Sequence, residues 1–286
     1  MPGVIRSYNH DDFPVERLLE CKTATATVVL PAREVADTVG AIVERILALD
    51  GLVDQVLVVD AASADGTAEV AARAGADVQQ QHELKPELGP VLGKGDAMWR
   101  ALEAALGDHV AYVDADTRDF SPQFITGLLG PLICEPGTRF VKGTYRRPFS
   151  HGDVELPDGG GRVSRLVARP LLSAFYPELA ALQQPLAGEI AAPRDVLEQV
   201  PFATGYAVEM AMLLDVLALI GADAIAQVDI GERRNFHQPL HQLEPMADTV
   251  LATVCERLRR EGRLFAQTLP AMPPERPPWA SLPTVA

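Results

Sequence analysis

Two carboxylates stand one residue apart at the end of an apolar run. The stretch "HVAYVDADTRDF" begins at His109, and Asp114 and Asp116 follow its apolar residues directly. A short apolar run of this kind is typical of a strand that is buried on both faces. If the extended conformation continues, both carboxylates point to the same side, where they repel each other unless a cation lies close. The spacing therefore indicates a cation site, although an Asp-rich turn that caps the next helix explains the same residues.

Two further segments have residues suited to a nucleotide or a diphosphate. In "VVDAASADGT", Asp60 follows a predicted strand and can accept hydrogen bonds from ring N–H groups, while the small residues after it let a ring or ribose approach the backbone. In "GPVLGKGDAMWRAL", Lys94 lies between glycines at the start of a predicted helix, where the helix dipole favours an anion. This segment lacks the Walker A spacing and does not fit GxGxxG. An ordinary strand–turn–helix junction with Asp65 near the N-cap, and a solvated turn lysine, are the alternatives.

Basic residues cluster in the middle of the chain, although the net charge is −14. The segment "GGGR" ends at Arg162, and glycine N–H groups and guanidinium groups both suit a phosphate or carboxylate. An anionic ligand is therefore expected here, with a solvated surface as the alternative for any single residue. The cluster consists of Arg139, Lys142, Arg146, Arg147, Arg162, Arg165 and Arg169. His237 and His241 come later, after a predicted strand, and a histidine beside paired aspartates and a diphosphate is a possible metal donor.

The composition narrows the class of protein. A chain of 286 residues with 48% hydrophobic residues can bury a large core. Its acidic balance argues against general binding to nucleic acid or to an anionic membrane. Three distant cysteines without CxxC spacing argue against a disulfide framework or a zinc site, and favour the cytoplasm. The opening "MPGVIRSYNHDDF" lacks the apolar region of a signal peptide, and the longest apolar stretch is interrupted by Asp215 and Asp223, so no membrane span is expected.

Predicted strands and helices alternate through the first half of the chain, which indicates βαβ units and a parallel sheet, hence an α/β fold. Ligands of such sheets bind beyond the carboxyl ends of the strands. Pro31, Asp60 and Asp114 each stand at a predicted strand end, so these three positions are expected to share one site.

Taken together, these segments resemble one known family. The order PA, VVDAxSxDGT, GKGxAMWRAL, VDAD, VKGxYRRP, GGGRVxxLVARPLL, QPLxGE, GYxVE and DAIAQVxxG is similar to that of the glucosyl-3-phosphoglycerate synthase family, retaining glycosyltransferases with relatives that transfer mannose. The resemblance implies an A-type glycosyltransferase fold, with a Rossmann-like, mostly parallel sheet flanked by helices and a mixed acceptor-binding half. The expected organisation is a leader (1–22), a nucleotide-sugar-binding half (23–145), an acceptor-binding half of the same domain (146–267) and a Pro-rich tail (268–286), extended or disordered.

The resemblance also implies roles for individual residues. Catalysis is assigned to Asp116 and Glu209, and a divalent cation, Mg²⁺ or Mn²⁺, to Asp116 and His237. The nucleoside-diphosphate-sugar would be bound by Pro31, Ala32, Glu34, Asp60, Ser63, Lys94, Asp114, Ala115 and Arg233. The acceptor 3-phosphoglycerate would be bound by Gly161, Arg162, Ser164 and Asn235. The expected reaction is transfer of glucose by front-face substitution, in which the leaving diphosphate takes the proton of the acceptor hydroxyl, in a cytoplasmic homodimer.

Two departures and three alternatives accompany this resemblance. The first strand continues "PAREVA" where the family has PAxNEE, and Asn235 stands where the family pattern has a histidine, with His237 two positions on. Either His237 replaces that histidine or the metal is held differently. The alternative functions are mannosyl transfer from GDP-mannose, a sugar nucleotidyltransferase, whose GxGxRxx loop "PAREVADT" lacks, and a non-catalytic nucleotide-sugar binder.

Overall fold

The computed structural model describes residues 4–151, 154–156, 159–233, 239–264 and 272–283. The strands within these ranges are β1 (Arg6–Asn9), β2 (Ala26–Ala32), β3 (Gln55–Asp60), β4 (Asp77–Gln80), β5 (His109–Tyr112), β6 (Phe140–Arg146), β7 (Phe149–His151), β8 (Val154–Leu156), β9 (Ile190–Pro193), β10 (Phe202–Ala203), β11 (Ile225–Glu232) and β12 (Glu275–Arg276). The α-helices are α1 (Val15–Cys21), α2 (Val39–Leu47), α3 (Thr67–Arg73), α4 (Lys94–Ala101), α5 (Gln123–Cys134), α6 (Arg169–Phe175), α7 (Arg194–Gln199), α8 (Val208–Ile220) and α9 (Leu240–Arg260). A π-helical turn, Ser164–Ala168, leads into α6.

Eight strands form one sheet, in the order β1-β11-β6-β9-β5-β2-β3-β4. Every neighbouring pair is parallel except the two that involve β9, which runs antiparallel to β5 and to β6. The parallel strands therefore all end at one edge of the sheet, and β9 begins there, since Ile190 pairs with Tyr112, the last residue of β5. The α/β fold with a mostly parallel sheet is confirmed.

The sheet is buried on both faces because its strands are apolar at successive positions. In β3, Leu57 and Val59 belong to one apolar cluster, while Val56 and Val58 belong to the other. One cluster packs the sheet against α4, α6, α7, α8 and α9, and the other packs it against α1, α2, α3 and α5. Burial on both sides is the reason why these strands lack the apolar–polar alternation of a half-exposed sheet. No helix among the described residues combines the length and the apolarity that a membrane crossing requires.

Three parts of the fold differ from the sequence prediction. The polar leader contains β1, which pairs with β11, and it also contains α1. It is therefore part of the sheet and of the helices that pack against it. Strand β9 was not predicted, because four residues give no periodic signal. The Pro-rich tail was predicted to be extended or disordered, but its described part, 272–283, is ordered against the domain and contains β12, which pairs with β10. The division into a nucleotide-sugar half and an acceptor half stays a prediction.

Candidate active site

Charged side chains from separate elements meet where the parallel strands end. Lys94 is the first residue of α4, and its Nζ donates to Oδ1 of Asp114 at 2.6 Å and to Oε1 of Glu209, in the first turn of α8, at 2.9 Å. Arg233, directly after β11, donates from Nη1 to Oδ2 of Asp114 at 2.8 Å and from Nη2 to Oδ1 of Asp116 at 2.9 Å. The two carboxylates predicted to share a cation thus share one guanidinium group.

A further acidic residue of this cluster was not predicted. Glu189 is fully buried, and its Oε1 accepts a hydrogen bond from Nη1 of Arg233. It reaches the cluster because it precedes β9, the antiparallel strand that begins at this edge. The available signal was a single carboxylate inside the small, apolar run "PLAGEIAAP". Such a residue is rarely buried without a charged partner.

Gly188 makes the close approach of Lys94 and Asp114 possible. A Cβ atom at this position would lie 2.5 Å from Nζ of Lys94 and 2.7 Å from Oδ1 of Asp114. Any side chain would therefore push the ion pair apart. The glycine keeps the space in which the lysine and the carboxylate meet.

The charges of this cluster are set by burial and by the neighbouring groups. Burial opposes the charged form of Lys94, but Asp114 and Glu209 raise the pKa of Lys94 well above its usual value. Burial also opposes the charged form of Asp114, but Lys94 and Arg233 hold the pKa of Asp114 well below its usual range. For Glu189, burial prevails over Arg233 and raises the pKa. Oε2 of Glu189 and Nε of Arg233 are buried and have no hydrogen-bond partner among the described residues, which is unusual outside functional sites.

Lys142, on β6, makes the stability of the folded protein depend on pH. It is almost fully buried, its Nζ donates to the carbonyl oxygen of Ala187, and burial lowers its pKa to about 8 although Glu209 and Glu189 favour the charged form. The unfolded chain therefore binds more protons than the folded protein between about pH 8 and pH 10.4, so this residue makes stability rise with pH in that window.

We expect the free energy of unfolding of the wild type, relative to Lys142→Met, to rise by about 2 kcal/mol from pH 7.5 to pH 9.5. Urea unfolding of both proteins at the two pH values measures this change. Tyrosine and cysteine side chains also titrate in this range, but their contributions cancel in the difference between the two proteins. An unchanged or falling difference would contradict a buried, neutralisable lysine.

The loops after β2 and β3 form a second group of predicted residues. The backbone N–H of Glu34 donates to Oγ of Ser63 at 2.9 Å, and Oε1 of Glu34 accepts from the N–H of Ala64 at 2.8 Å. Oγ of Ser63 donates in turn to Oδ1 of Asp60 at 2.6 Å. Asp60 is buried and also accepts hydrogen bonds from the Ser63 N–H and from Gln80. Its carboxylate therefore fixes the conformation of the loop after β3.

Backbone strain is concentrated at the same end of the molecule. Among the described residues, the non-glycine residues with positive φ are Glu34 (53°), Ala62 (57°) and Lys85 (49°). The first two lie on the loops after β2 and β3, and the third lies on the loop that leads to Lys94. Left-handed conformations of residues with a Cβ persist where the surroundings hold them, and they are common at ligand sites.

The remaining residues predicted for the nucleotide-sugar contribute mainly backbone. The carbonyl oxygen of Ala32 accepts from the N–H of Ala61, and the carbonyl oxygen of Ala115 accepts from Oγ1 of Thr38. Pro31 precedes Ala32 at the end of β2. These hydrogen bonds connect the loop after β2 to the loops after β3 and β5.

Asp116 differs from the other carboxylates in its exposure. Its side chain is 61% exposed and accepts from Arg233 through one oxygen. Within the described ranges no group of three or more His, Cys, Asp or Glu residues could enclose a metal ion. A single open carboxylate suits Mg²⁺ or Mn²⁺ that takes its other ligands from water and from a substrate diphosphate. His237 and Asn235 lie outside the described residues, so their predicted roles stay predictions.

An arginine-rich cavity of about 360 Å³ lies beside the charged cluster. Four arginines line it, together with smaller and polar residues: Arg146, Arg147, Arg165, Arg169, Thr144, Tyr145, Gly160, Ala180, Ala181, Gln183, Gln184 and Asp229. Two members of the predicted basic cluster lie elsewhere: Arg139 pairs with Asp195, and Lys142 is buried below Ala187. Four of the seven basic residues named from the sequence therefore line this cavity, and its role as an anion site stays a prediction.

The residues predicted to bind the acceptor follow a residue of the cavity lining in the sequence. Gly161 has a φ of 67°, a conformation that favours glycine, and it directly follows the lining residue Gly160. Arg162 is half-buried and Ser164 is buried at the start of the π-helical turn. The roles of these three residues stay predictions.

The sequence and the fold of this chain are similar to those of known glycosyltransferases. Residues 27–160 match the model of glycosyl transferase family 2. A glucosyl-3-phosphoglycerate synthase of Mycolicibacterium smegmatis is 45% identical over 253 residues, which cover 88% of this chain and 84% of that protein.

Two solved structures extend the likeness to almost the whole fold. The mannosyl-3-phosphoglycerate synthase of Rubrobacter xylanophilus is 47% identical, with a TM-score of 0.89 and 97% of both chains covered. The glucosyl-3-phosphoglycerate synthase of Mycobacterium tuberculosis, solved with Mn²⁺, UDP-glucose and phosphoglyceric acid, is 37% identical, with a TM-score of 0.84 over 96% of this chain and 98% of that one. Sequence identity and overall fold agree over most of the chain, and the chain therefore belongs to the glucosyl-3-phosphoglycerate synthase family.

Proposed function

We propose that this protein transfers glucose from UDP-glucose to 3-phosphoglycerate with retention of the anomeric configuration. One observation supports this most directly: the charged cluster lies next to the arginine-rich cavity. The charged cluster consists of Lys94, Asp114, Asp116, Glu189, Glu209 and Arg233. Tyr145 joins the two, since it lines the cavity and its hydroxyl lies 3.4 Å from Nη1 of Arg233. A diphosphate and an anionic acceptor can therefore be bound side by side.

The donor is assigned to the loops and the charged cluster. Glu34 and Ser63 line the nucleoside end, and the rigid contact of Ser63 with Asp60 fixes the loop that the nucleoside meets. Lys94 and Arg233 supply positive charge for the diphosphate, which lies near the start of α4. Glu209 is assigned to the sugar, because its carboxylate can accept hydrogen bonds from hydroxyl groups.

A divalent cation would be held by Asp116 together with the diphosphate. When bound, it neutralises negative charge on the leaving group. The same carboxylate is in contact with Arg233, so the guanidinium group keeps Asp116 oriented toward the diphosphate position.

The chemical step needs few groups of the protein. The bond between C1 of glucose and the diphosphate oxygen breaks, and C1 bonds to the acceptor hydroxyl on the same face. The hydroxyl proton passes to the departing diphosphate oxygen. The protein contributes mainly by holding the two substrates together and by stabilising the charge on the diphosphate.

The acceptor is assigned to the arginine-rich cavity. Phosphate and carboxylate groups at the two ends of 3-phosphoglycerate each suit a guanidinium fork. The test is to incubate the protein and Mn²⁺ with 3-phosphoglycerate and, in turn, UDP-glucose, GDP-glucose, UDP-mannose and GDP-mannose, and to follow nucleotide release. We expect the fastest release with UDP-glucose, and only when the acceptor is present. Release that does not depend on the acceptor would contradict the assignment.

Mannosyl transfer is the second candidate. The solved mannosyl-3-phosphoglycerate synthase has a higher TM-score, 0.89, than the glucosyl enzyme, 0.84. Glucose and mannose differ only in the direction of one hydroxyl group, so a few contacts decide between them. A larger kcat/KM with GDP-mannose than with UDP-glucose would select this candidate.

Arg162→Ala is expected to raise the KM for 3-phosphoglycerate far more than the KM for the nucleotide-sugar. A hydrogen bond to a charged group contributes on the order of 1.5–3 kcal/mol, which corresponds to about 10- to 150-fold. Arg139→Ala is the matched control, because this arginine pairs with Asp195 away from the cavity. Equal effects of Arg162→Ala on both substrates would remove Arg162 from the acceptor site.

We propose further that the protein works in the cytoplasm as a homodimer. Cys21, Cys134 and Cys255 are free thiols, as expected in a reducing compartment. Leu240 and Leu251 are exposed on α9 and lie three helical turns apart, hence on one face that a second copy could cover. Light scattering of the purified protein should give twice the mass of the 30.8 kDa chain, and a monomer would contradict the proposal.

A further inference from the structure

The described end of the chain lies against the loop that leads to Lys94. We name residues 272–283 the C-terminal strap and residues 84–93 the lysine loop. The strap is fixed through β12, and Thr204 donates to the carbonyl oxygen of Pro274 from its N–H at 3.0 Å and from its Oγ1 at 2.8 Å. Nε1 of Trp99, on α4, donates to the carbonyl oxygen of Pro277 at 2.9 Å.

Arg276 extends from the strap into the lysine loop. It is buried, its Nε donates to Oδ1 of Asp96, and its Nη1 and Nη2 donate to the carbonyl oxygens of Leu88 at 2.7 Å and Pro90 at 2.9 Å. A guanidinium group with five donors in a fixed plane can hold a carboxylate and two carbonyl groups at once. One residue of the strap therefore fixes two points of the loop.

A second buried arginine holds the loop from the other side. Arg100, on α4, donates from Nε to Oδ2 of Asp96 at 2.9 Å and from its Nη atoms to the carbonyl oxygens of Lys85 and Gly89 at 2.9 and 2.8 Å. Asp96 also accepts from the N–H of Leu92 at 2.9 Å. Asp96 is thus a fully buried hub between the strap, the loop and the first turn of α4.

The lysine loop needs such external contacts. Lys85, Gly89 and Gly93 all have positive φ. Without contacts to the rest of the protein, the two glycines would allow the backbone of this loop many conformations. Lys94 follows Gly93 directly, and its Nζ must reach both Asp114 and Glu209. A shift of about 1 Å that the lysine side chain does not compensate would lengthen both contacts beyond hydrogen-bond distance, and misplacement of that size costs activity.

We propose that Arg276 is a positioning residue for Lys94, acting through Asp96 and the lysine loop, so that the C-terminal strap controls the affinity for the nucleotide-sugar. The inference rests on the proposed function, because it takes Lys94 as a diphosphate contact. Arg276 lies outside the donor and acceptor contacts assigned above.

The first test compares steady-state kinetics of Arg276→Met with the wild type. The KM for UDP-glucose should rise roughly five- to thirtyfold, while the KM for 3-phosphoglycerate stays within about twofold. Arg260→Met is the matched control, because Arg260 pairs with Glu275 of the same strap at 2.6 Å but on the exposed side. An unchanged KM for UDP-glucose, or an equal rise for both substrates, would overturn the proposal.

A second test requires neither transfer nor a stable Arg276 variant. The two tryptophans of the chain, Trp99 and Trp279, pack edge to face with ring centroids 4.5 Å apart, between α4 and the strap. Trp279→Leu loosens the strap without leaving a buried charge, and the exposure of Trp99 to acrylamide quenching then reports the loosening.

In Trp279→Leu and in folded Arg276→Met, the Kd of UDP with Mn²⁺, measured by calorimetry, should rise by the same roughly five- to thirtyfold. Increased quenching with an unchanged Kd would show that the strap has only a structural role and would overturn the proposal. This result is distinct from failure of the proposed function, in which the wild type binds UDP but transfers no sugar to 3-phosphoglycerate.

Discussion

Asp116→Ala is expected to lower the kcat of sugar transfer by about 10³-fold or more, because the cation held by this carboxylate is worth several kcal/mol to the departing diphosphate. The loss should appear in kcat and in the dependence of the rate on Mn²⁺ concentration. Thermal unfolding should change little, since the Asp116 side chain is mostly exposed. Initial rates at saturating UDP-glucose and 3-phosphoglycerate, over a series of Mn²⁺ concentrations, measure the effect.

Asp50→Ala provides the control for this substitution. Asp50 is an exposed aspartate just beyond the C-terminal end of α2, away from the charged cluster, and its replacement should leave kcat unchanged. If Asp116→Ala keeps more than roughly a tenth of the wild-type activity, the assignment of Asp116 to the metal is wrong.

Lys94→Met is expected to lower kcat/KM for UDP-glucose by about 10²- to 10³-fold. The substitution removes the cation from the diphosphate position and leaves Asp114 and Glu209 without their shared partner. Both carboxylates then repel the incoming diphosphate, so the KM for the donor should rise as well as kcat fall. Methionine keeps the length and packing of the side chain, and the fold should therefore persist.

Lys22→Met is the corresponding control. Lys22 also forms a lysine–aspartate pair, 2.7 Å from Oδ2 of Asp54, but beside the loop that leads to the amino end of β3. Its loss should leave kcat/KM within about twofold, in line with the small contribution of peripheral ion pairs. A Lys94→Met protein that retains half of its kcat/KM would show that the diphosphate is bound elsewhere.

The sequence was sufficient to predict residues that follow a parallel strand directly. Asp60 is the last residue of β3 and Asp114 follows shortly after β5, and parallel strands end at one edge of the sheet, so the local pattern was enough to place both carboxylates at that edge. Glu189 could not be found in this way, since its position depends on a short antiparallel strand placed between distant parallel ones. Arg233 was predicted only from the family resemblance, because an arginine after a strand is ordinarily exposed.

The basic cluster shows a second limit of sequence patterns. Arg139 directly precedes β6 and Arg146 is its last residue, so the two lie about 20 Å apart along an extended strand and cannot line one cavity. The Pro-rich composition of the tail likewise predicted extended or disordered chain. Composition does not reveal that a carboxylate 180 residues earlier, Asp96, is buried and needs the charge of Arg276.

The pairing of β1 constrains the order in which the sheet can be completed during synthesis. Among the described strands of the sheet, β1 is made before the others, yet its neighbour is β11, and Arg6 pairs with Ala226. The contact spans more than two hundred residues, so β1 can pair only after β11 has been made. The conformational entropy lost in closing this long loop is therefore lost only at that point. Until then β2, β3, β4 and β5 can assemble in the order of their synthesis, while the apolar face of α5 that β11 later covers remains open. The nascent chain therefore carries β1 without its partner strand until β11 has been made.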